Sequence, residues 1–132
     1  MFVDSSVIVA ILAQEEDASD FVDILAKSDR RATSPVVILE ATMRLSTLLG
    51  LSPREIAESV DRLIDELSME VIPLTQEMGS IAIIAFDRFG KGRHPARLNF
   101  GDCLSYAAAK SLGVPLLFKG NDFRQTDIEQ AV

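Results

Sequence analysis

The protein has 132 residues, of which 48% are hydrophobic, and its mean hydropathy is +0.21. This composition supplies enough apolar side chains for the core of one compact domain and argues against intrinsic disorder. Its formal net charge of −7 disfavours a protein that binds nucleic acid through a generally basic surface. Cys103 is the only cysteine and no apolar run approaches the ~20 residues of a membrane span, which excludes an internal disulfide, a Cys-rich zinc site and a membrane helix.

The first residues, MFVDSSVIVAIL, predict a short buried strand followed directly by a helix. No basic leader precedes this apolar stretch, and Asp4 lies within it, which argues against a signal peptide. Because the chain also has a single cysteine, we expect a protein of the reducing cytoplasm.

The first half of the chain alternates short apolar strands with helices. Ser34 supplies a good N-cap before Pro35, and Gly50 ends the helix that they begin. The predicted elements are the strand Met1–Val3, the helices Ser5–Ala13 and Asp17–Ala26, the strand Arg31–Thr33 and the helix Pro35–Leu49.

The second half continues the same alternation. Its clearest helix start is the stretch SPRE, in which Ser52 caps, Pro53 opens the helix and Glu55 completes a capping box. The predicted elements are the helix Pro53–Leu67, the strand Glu70–Ile72, a helix capped by Thr75 that runs to Phe89, the helix Asp102–Leu112 and the strand Pro115–Phe118. Short apolar strands that alternate with helices indicate an α/β fold whose parallel sheet is covered on both faces.

Two acids directly follow predicted strands. Asp4 follows the first strand and Asp122 follows the last, and ligands of parallel α/β sheets bind beyond the carboxyl ends of the strands. The two side chains are therefore candidates for the same crevice.

Two further acids lie on predicted helices. Glu40 borders an apolar face, where a carboxylate is costly to bury unless it is paired, and Arg44 at i+4 offers an intrahelical partner as the alternative. Asp102 lies at a helix N-terminus, where the helix dipole favours an ionised carboxylate. Either Asp102 merely starts the helix, or Asn99 is the cap and leaves the Asp102 carboxylate free to face the crevice.

Four converging carboxylates need a cation, because like charges in one pocket raise one another's pKa. Oxygen ligands of this kind suit Mg²⁺ or Mn²⁺ and not zinc. Such a site can hold one or two metal ions and orient a water for in-line attack on phosphorus.

One segment is basic, although the chain as a whole is acidic. Residues 88–97, RFGKGRHPAR, contain four of the thirteen basic residues and the only histidine. Lys91, Arg93 and Arg97 are candidates for contacting the phosphates of a polyanionic substrate or for a charge match with a partner, and His94 lies among them. The alternative is a solvated loop.

The residues that carry these expectations also resemble a known family. MFVDSSVIVAIL with Asp4, the helix that bears Glu40, and GDCLSYAAAK with Asp102 resemble the PIN-domain nucleases. The longer stretch FGKGRHPARLNFGDCLSYAAAKSLGVPLLFKGNDFRQTDI resembles the VapC toxins of type II toxin–antitoxin systems, and the resemblance extends over essentially the whole chain.

The resemblance implies a single PIN domain over residues 1–132, a three-layer α/β/α sandwich around a short parallel sheet. It also implies a metal-dependent endoribonuclease that forms a homodimer and is neutralised by a cognate VapB antitoxin, which fills the acidic crevice. Asp4, Glu40 and Asp102 match the three most regular acids of the family and are the predicted catalytic residues and Mg²⁺ ligands. For a ribonuclease, the predicted RNA contacts are Lys91, Arg93 and Arg97, which would position phosphates, and His94, which is expected to contact RNA rather than to act in catalysis.

The fourth acid of the family pattern is less regular here. Many PIN domains carry an acid two residues before the Asp-Phe pair, and Gly120 occupies that place in this sequence. Asp122 is the only acid of the turn KGNDF, and it either ligates a metal through water or caps the turn. Ser6 matches a small hydroxyl residue of the family and is expected to bond Asp4 or a metal-coordinated water.

Two other functions compete with a nuclease. A phospho-acceptor receiver domain also gathers acids at strand ends and places a lysine after a late strand, as Lys119 is placed here. It needs an aspartate after a central strand, and Leu74 and Thr75 follow the candidate strand instead. A binding module that keeps the fold without catalysis is the other alternative, which the presence of all three principal acids disfavours.

Overall fold

The computed structural model describes residues 1–132 and contains six α-helices and four two-residue strands. None of the helices is long and apolar enough to cross a membrane. In chain order the elements are β1 (Phe2–Val3), α1 (Ser5–Leu12), α2 (Ala18–Ala26), β2 (Ala32–Thr33), α3 (Pro35–Leu49), α4 (Pro53–Glu66), β3 (Glu70–Val71), α5 (Gln76–Phe89), α6 (Phe100–Leu112), β4 (Leu116–Leu117) and a 3₁₀ turn (Phe123–Gln125).

The four strands form one sheet in the order β3-β2-β1-β4, and every pair is parallel. Both residues of β1 and both residues of β4 have no exposed surface. Because successive side chains of a strand point to opposite faces, helices must cover the sheet on both sides. The predicted α/β class and three-layer α/β/α arrangement are therefore confirmed.

Local sequence signals account for most of the helix ends. The side chains of Ser34, Ser52 and Thr75 each accept a hydrogen bond from the backbone N–H three residues later, and Ser52 forms the predicted capping box with Glu55. Gly50 ends α3 with a φ of 66°, in the left-handed region that glycine adopts without strain.

The predicted start of α6 at Asp102 was wrong by two residues. The helix begins at Phe100, and Asn99 is its N-cap. The Asn99 side chain accepts from the Asp102 N–H, while the Asp102 carboxylate accepts from the Asn99 N–H at 3.0 Å. The alternative that Asn99 is the cap is therefore confirmed, and Asp102 is the third residue of the helix. The strands are also shorter than predicted, because fewer residues of each apolar run join the ladder.

The amphipathic helices α2 and α4 pack inside the protein. Helix α2 buries Phe21 and Leu25, and α4 buries Val60 and Leu63 among its apolar residues. The apolar side chains left exposed lie mainly on α3 and α5 instead. They include Leu39, Met43, Ile83, Ile84 and Phe86.

Candidate active site

A cavity of about 490 Å³ lies beyond the carboxyl ends of β1 and β4. All four predicted acids line it, together with the two predicted supporting residues, so the structure brings these six side chains together. Its lining residues are Asp4, Ser5, Ser6, Val9, Glu15, Glu40, Arg44, Asn99, Asp102, Lys119, Asp122 and Phe123.

Asp4 is the most firmly held acid of the cavity. It is 3% exposed and caps α1, with its Oδ2 accepting from the N–H of Ser6 at 3.1 Å and from the Ser6 hydroxyl at 2.7 Å. The buried Ser105 hydroxyl donates to Oδ1 at 2.8 Å. The Ser6 hydroxyl in turn accepts from the Lys119 N–H at 3.0 Å. These bonds connect β1, α1, α6 and the segment after β4 at one carboxylate.

Glu40 projects from α3 toward the first turn of α6. The buried Ser5 hydroxyl donates to its Oε1. The alternative partner, Arg44, forms no ion pair with Glu40, and its side chain lines the same cavity. The intrahelical salt bridge that we considered from the sequence is therefore absent.

Burial and neighbouring charges both act on the carboxyl group of Asp102. Burial raises the pKa of its carboxyl to about 7, the hydrogen bond from the Asn99 backbone acts in the opposite direction, and the charges of Asp4, Glu40 and Asp122 raise it further. Burial and repulsion therefore outweigh the helix N-terminus, which was expected to favour the ionised form of this acid. Nor is the carboxylate wholly free, since Oδ2 completes the capping box.

Asp122 precedes the 3₁₀ turn but does not cap it through its side chain. Only its backbone carbonyl accepts from the turn, from the N–H of Gln125 at 3.3 Å. The exposed carboxylate lines the cavity and makes no hydrogen bond within the protein. Of the two predicted roles, the side-chain cap is excluded, and a role toward a ligand stays a prediction.

Glu15 of the cavity lining and Ser105, which bonds Asp4, escaped the sequence argument. Ser105 lies one helical turn after Asp102, so the i+3 spacing on α6 was the available signal for it. Glu15 and Lys119 form an ion pair at the cavity wall, and Asp17 also contacts the Lys119 ammonium, at 3.0 Å. The acids raise the pKa of Lys119, so this side chain stays cationic. Nothing local in the sequence indicates that the segment after β4 meets these acids.

The basic segment lies outside the lining of the cavity. Arg93 contacts Asp87 at 3.3 Å and lies over the Phe86 ring, while His94 accepts the Ala96 N–H at its Nδ1. Lys91 and Arg97 are exposed and form no ion pair. The role of Lys91, Arg93, His94 and Arg97 in RNA contact therefore stays a prediction.

The donor set suits a hard divalent cation, although no three His, Cys, Asp or Glu side chains converge closely enough to hold one metal by themselves. Mg²⁺ retains several waters and takes one or two protein carboxylates directly, so it does not need three converging acids. Glu40 Oε2 and Asp102 Oδ1 have no hydrogen-bond partner. The mutual repulsion that acts on Asp102 is what a bound cation would relieve.

Comparisons with known proteins agree with this geometry. A family model described as the PIN domain matches residues 1–129. VapC ribonuclease Mb0625 of Mycobacterium bovis is 44% identical over 135 residues, which cover 100% of this chain and 98% of that protein. The chain belongs to the VapC family of PIN-domain proteins. VapC ribonuclease R02377 of Rhizobium meliloti is 40% identical, with 96% of this chain and 98% of that protein covered.

Solved structures share the PIN fold. Mycobacterium tuberculosis VapC20, described as a sarcin-ricin loop cleaving toxin, superimposes with a TM-score of 0.75 at 19% identity over 96% of this chain and 95% of its own. VapBC2 from Rickettsia felis, solved with a DNA fragment from its promoter, gives a TM-score of 0.72 at 14% identity, with coverages of 98% and 95%. Membership of this family excludes the receiver-domain alternative.

Proposed function

We propose that this protein is a Mg²⁺-dependent endoribonuclease that acts as the toxin of a type II toxin–antitoxin pair. The observation that carries the proposal is the convergence of Asp4, Glu40, Asp102 and Asp122 on one cavity, where their repulsion contributes to the raised pKa of Asp102. The ribonuclease names of the VapC relatives support the same activity.

In this proposal Asp4, Glu40 and Asp102 hold Mg²⁺, directly or through water, and Asp122 contacts it through water. When bound, Mg²⁺, or Mn²⁺ in its place, would supply an activated water and positive charge for the phosphoryl oxygens. Ser6 and Ser105 fix the orientation of the Asp4 carboxylate by their hydrogen bonds.

The basic side chains that line the cavity have a different proposed role. Arg44 and Lys119 are the only basic side chains in the lining, and they offer positive charge to a phosphate that approaches the acids. No histidine or cysteine lines the cavity, so none is in place to transfer a proton there. Proton transfer in the reaction therefore involves the carboxylates and water.

The proposed partners are RNA, a VapB-type antitoxin and a second copy of the chain. Related folds have been solved as a toxin–antitoxin complex from Klebsiella pneumoniae and as the VapBC2 assembly of Rickettsia felis. The exposed apolar side chains of α3 and α5 provide surface that a protein partner would cover.

The activity is tested with purified protein and RNA. We expect cleavage that requires Mg²⁺ or Mn²⁺, stops with EDTA and falls by about 100-fold or more in Asp102→Asn. Asp61→Asn, the same change at an exposed acid of α4, is the matched control. Cleavage by Asp102→Asn at the rate of the Asp61→Asn protein would contradict the proposed site.

The toxin role needs a separate test in cells. Expression of the protein is expected to arrest growth, and Asp102→Asn is expected to lift the arrest. Co-expression of a small DNA-binding protein encoded immediately upstream should also restore growth. Growth arrest by Asp102→Asn at wild-type protein levels would contradict a toxicity based on cleavage.

A further inference from the structure

Gly101 lies in the first turn of α6, beside Asp102, and its position is buried. Its backbone is helical, so the chain conformation does not require glycine here. Alanine would favour the helix more than glycine does. The absence of a side chain at this position therefore has another cause.

The Glu40 carboxylate fills the space beside Gly101. A Cβ atom built on Gly101 would clash with Oε2 of Glu40 and would lie 2.8 Å from Cδ and 3.0 Å from Oε1. Real Cβ atoms essentially never approach a heavy atom closer than 3.0 Å. The carboxylate thus occupies the space that any side chain at residue 101 would need.

A second contact holds the same carboxylate from the other side. The Ser5 hydroxyl, which is buried, donates to Oε1 of Glu40. With Oε1 bonded to Ser5, Oε2 is directed against the first turn of α6, whose positive end favours a negative charge. Helices α3 and α6 pack against each other, and a Cβ atom at residue 101 would displace the Glu40 carboxylate, which is the end of a flexible side chain.

From these contacts we propose that Gly101 is a positioning residue for Glu40: it admits the Glu40 carboxylate to the N-terminal turn of α6, next to Asp102, and so sets the spacing of these two acids for a divalent cation. The inference rests on the proposed function for its metal, but the position of Glu40 can be measured without one.

Gly101→Ala tests the proposal. The added methyl group is expected to displace the Glu40 carboxylate until its atoms lie more than 3.0 Å from the new Cβ atom. Helix α6 should stay formed, and the midpoint of unfolding should be unchanged or higher. We expect the affinity for Mn²⁺, titrated by calorimetry without RNA, and the rate of RNA cleavage to fall by about 10- to 100-fold.

Gly79→Ala is the matched control. Gly79 lies in the helix α5, and a Cβ atom there meets nothing within 4 Å. The control therefore makes the same change to an element of the same kind without touching an acid. It should retain the Mn²⁺ affinity and the cleavage rate of the wild-type protein.

A double variant tests whether Gly101 acts through Glu40. In a Glu40→Gln background, Gly101→Ala should cause no further loss of Mn²⁺ affinity, because the group it positions has already been replaced. A further loss of the same size as in the wild-type background would overturn the inference.

Crystals of the metal-free variants separate this inference from the proposed function. Displacement of Glu40 in Gly101→Ala, but not in Gly79→Ala, supports the positioning role whatever the activity of the protein. An unmoved Glu40, with the first turn of α6 displaced instead, overturns that role. Wild-type protein that neither binds Mn²⁺ nor cleaves RNA would count against the proposed function alone.

Discussion

At the scale of single residues, the four acids of the cavity are held in different ways. Asp4 accepts three hydrogen bonds, from the backbone and hydroxyl of Ser6 and from the hydroxyl of Ser105. Asp102 accepts one, while burial and its acidic neighbours raise its pKa to about 7. Hydrogen bonds to the charged form stabilise a buried carboxylate, and repulsion does the reverse. A cation at the cavity would therefore favour the ionised form of Asp102.

This difference predicts how stability depends on pH. The pKa of Asp102 is about 7 in the folded protein against an ordinary value of 3.8, so its contribution to stability is fully present below pH 3.8 and is lost as the pH rises through 7. Without metal, wild-type protein should lose up to about 4 kcal/mol relative to Asp102→Asn between about pH 4 and pH 8. Thermal unfolding in EDTA measures this loss.

The same experiment includes its own control. Mg²⁺ should stabilise the wild-type protein more at pH 8 than at pH 5, because it binds the ionised carboxylate, and should stabilise Asp102→Asn much less. Parallel stability curves of the two proteins from pH 4 to pH 8 would show that Asp102 is not perturbed as described.

At the scale of elements, α6 combines helix initiation with the construction of the site. Asn99 and Asp102 form its capping box, Gly101 accommodates Glu40 and Ser105 bonds Asp4. The stability of this helix start and the geometry of the acids are therefore coupled, whereas the cap formed by Thr75 on α5 serves its helix alone.

Replacement of Asn99 by alanine should expose this coupling. Loss of an N-cap costs about 0.5–2 kcal/mol, so Asn99→Ala and Thr75→Ala should lower the free energy of unfolding by similar amounts. Only Asn99→Ala should also weaken metal binding and cleavage, because it releases the segment that holds Asp102. Denaturant unfolding and RNA cleavage measure the two effects. Equal cleavage by the two variants would contradict the coupling.

Elements also show how much could be predicted from the sequence. Ser34, Ser52 and Thr75 are local signals, and each was correctly predicted to start a helix. Strand lengths were overestimated because an apolar run does not reveal how many of its residues join the ladder. The bond from Ser105 to Asp4 joins residues 101 positions apart, and no local pattern specifies such a contact.

At the scale of the whole molecule, the acidic cavity and the basic segment 88–97 lie in different places. The net charge is −7, and the acids of the cavity concentrate negative charge at one edge of the sheet. Convergence of these acids could be predicted, since the carboxyl ends of parallel strands meet at one edge. The location of the basic segment could not be predicted, since a loop of ten residues can fold toward or away from that edge. It lies outside the cavity lining.

Substitution in the basic segment tests whether this second region binds RNA. If Lys91 and Arg97 each contact a phosphate, Lys91→Ala with Arg97→Ala should weaken RNA binding and lower the slope of log affinity against log salt by about 1.4. Binding of a short single strand by Asp102→Asn protein, which is expected not to cut it, measures the slope. Lys27→Ala, at an exposed lysine outside the segment, is the control. An unchanged slope would favour the alternative of a solvated loop.

The position of β4 in the sheet has a consequence for synthesis on the ribosome. Strand β1 lies between β2 and β4, and the Asp4 N–H donates to the carbonyl of Leu117 at 3.0 Å. The Ser6 hydroxyl that orients Asp4 is itself fixed by the Lys119 N–H. A nascent chain that ends before residue 116 has all of α6 but leaves one edge of β1 unpaired. Asp4, the first of the four acids to be synthesised, therefore reaches its final hydrogen-bonded position only after β4 has left the exit tunnel of the ribosome.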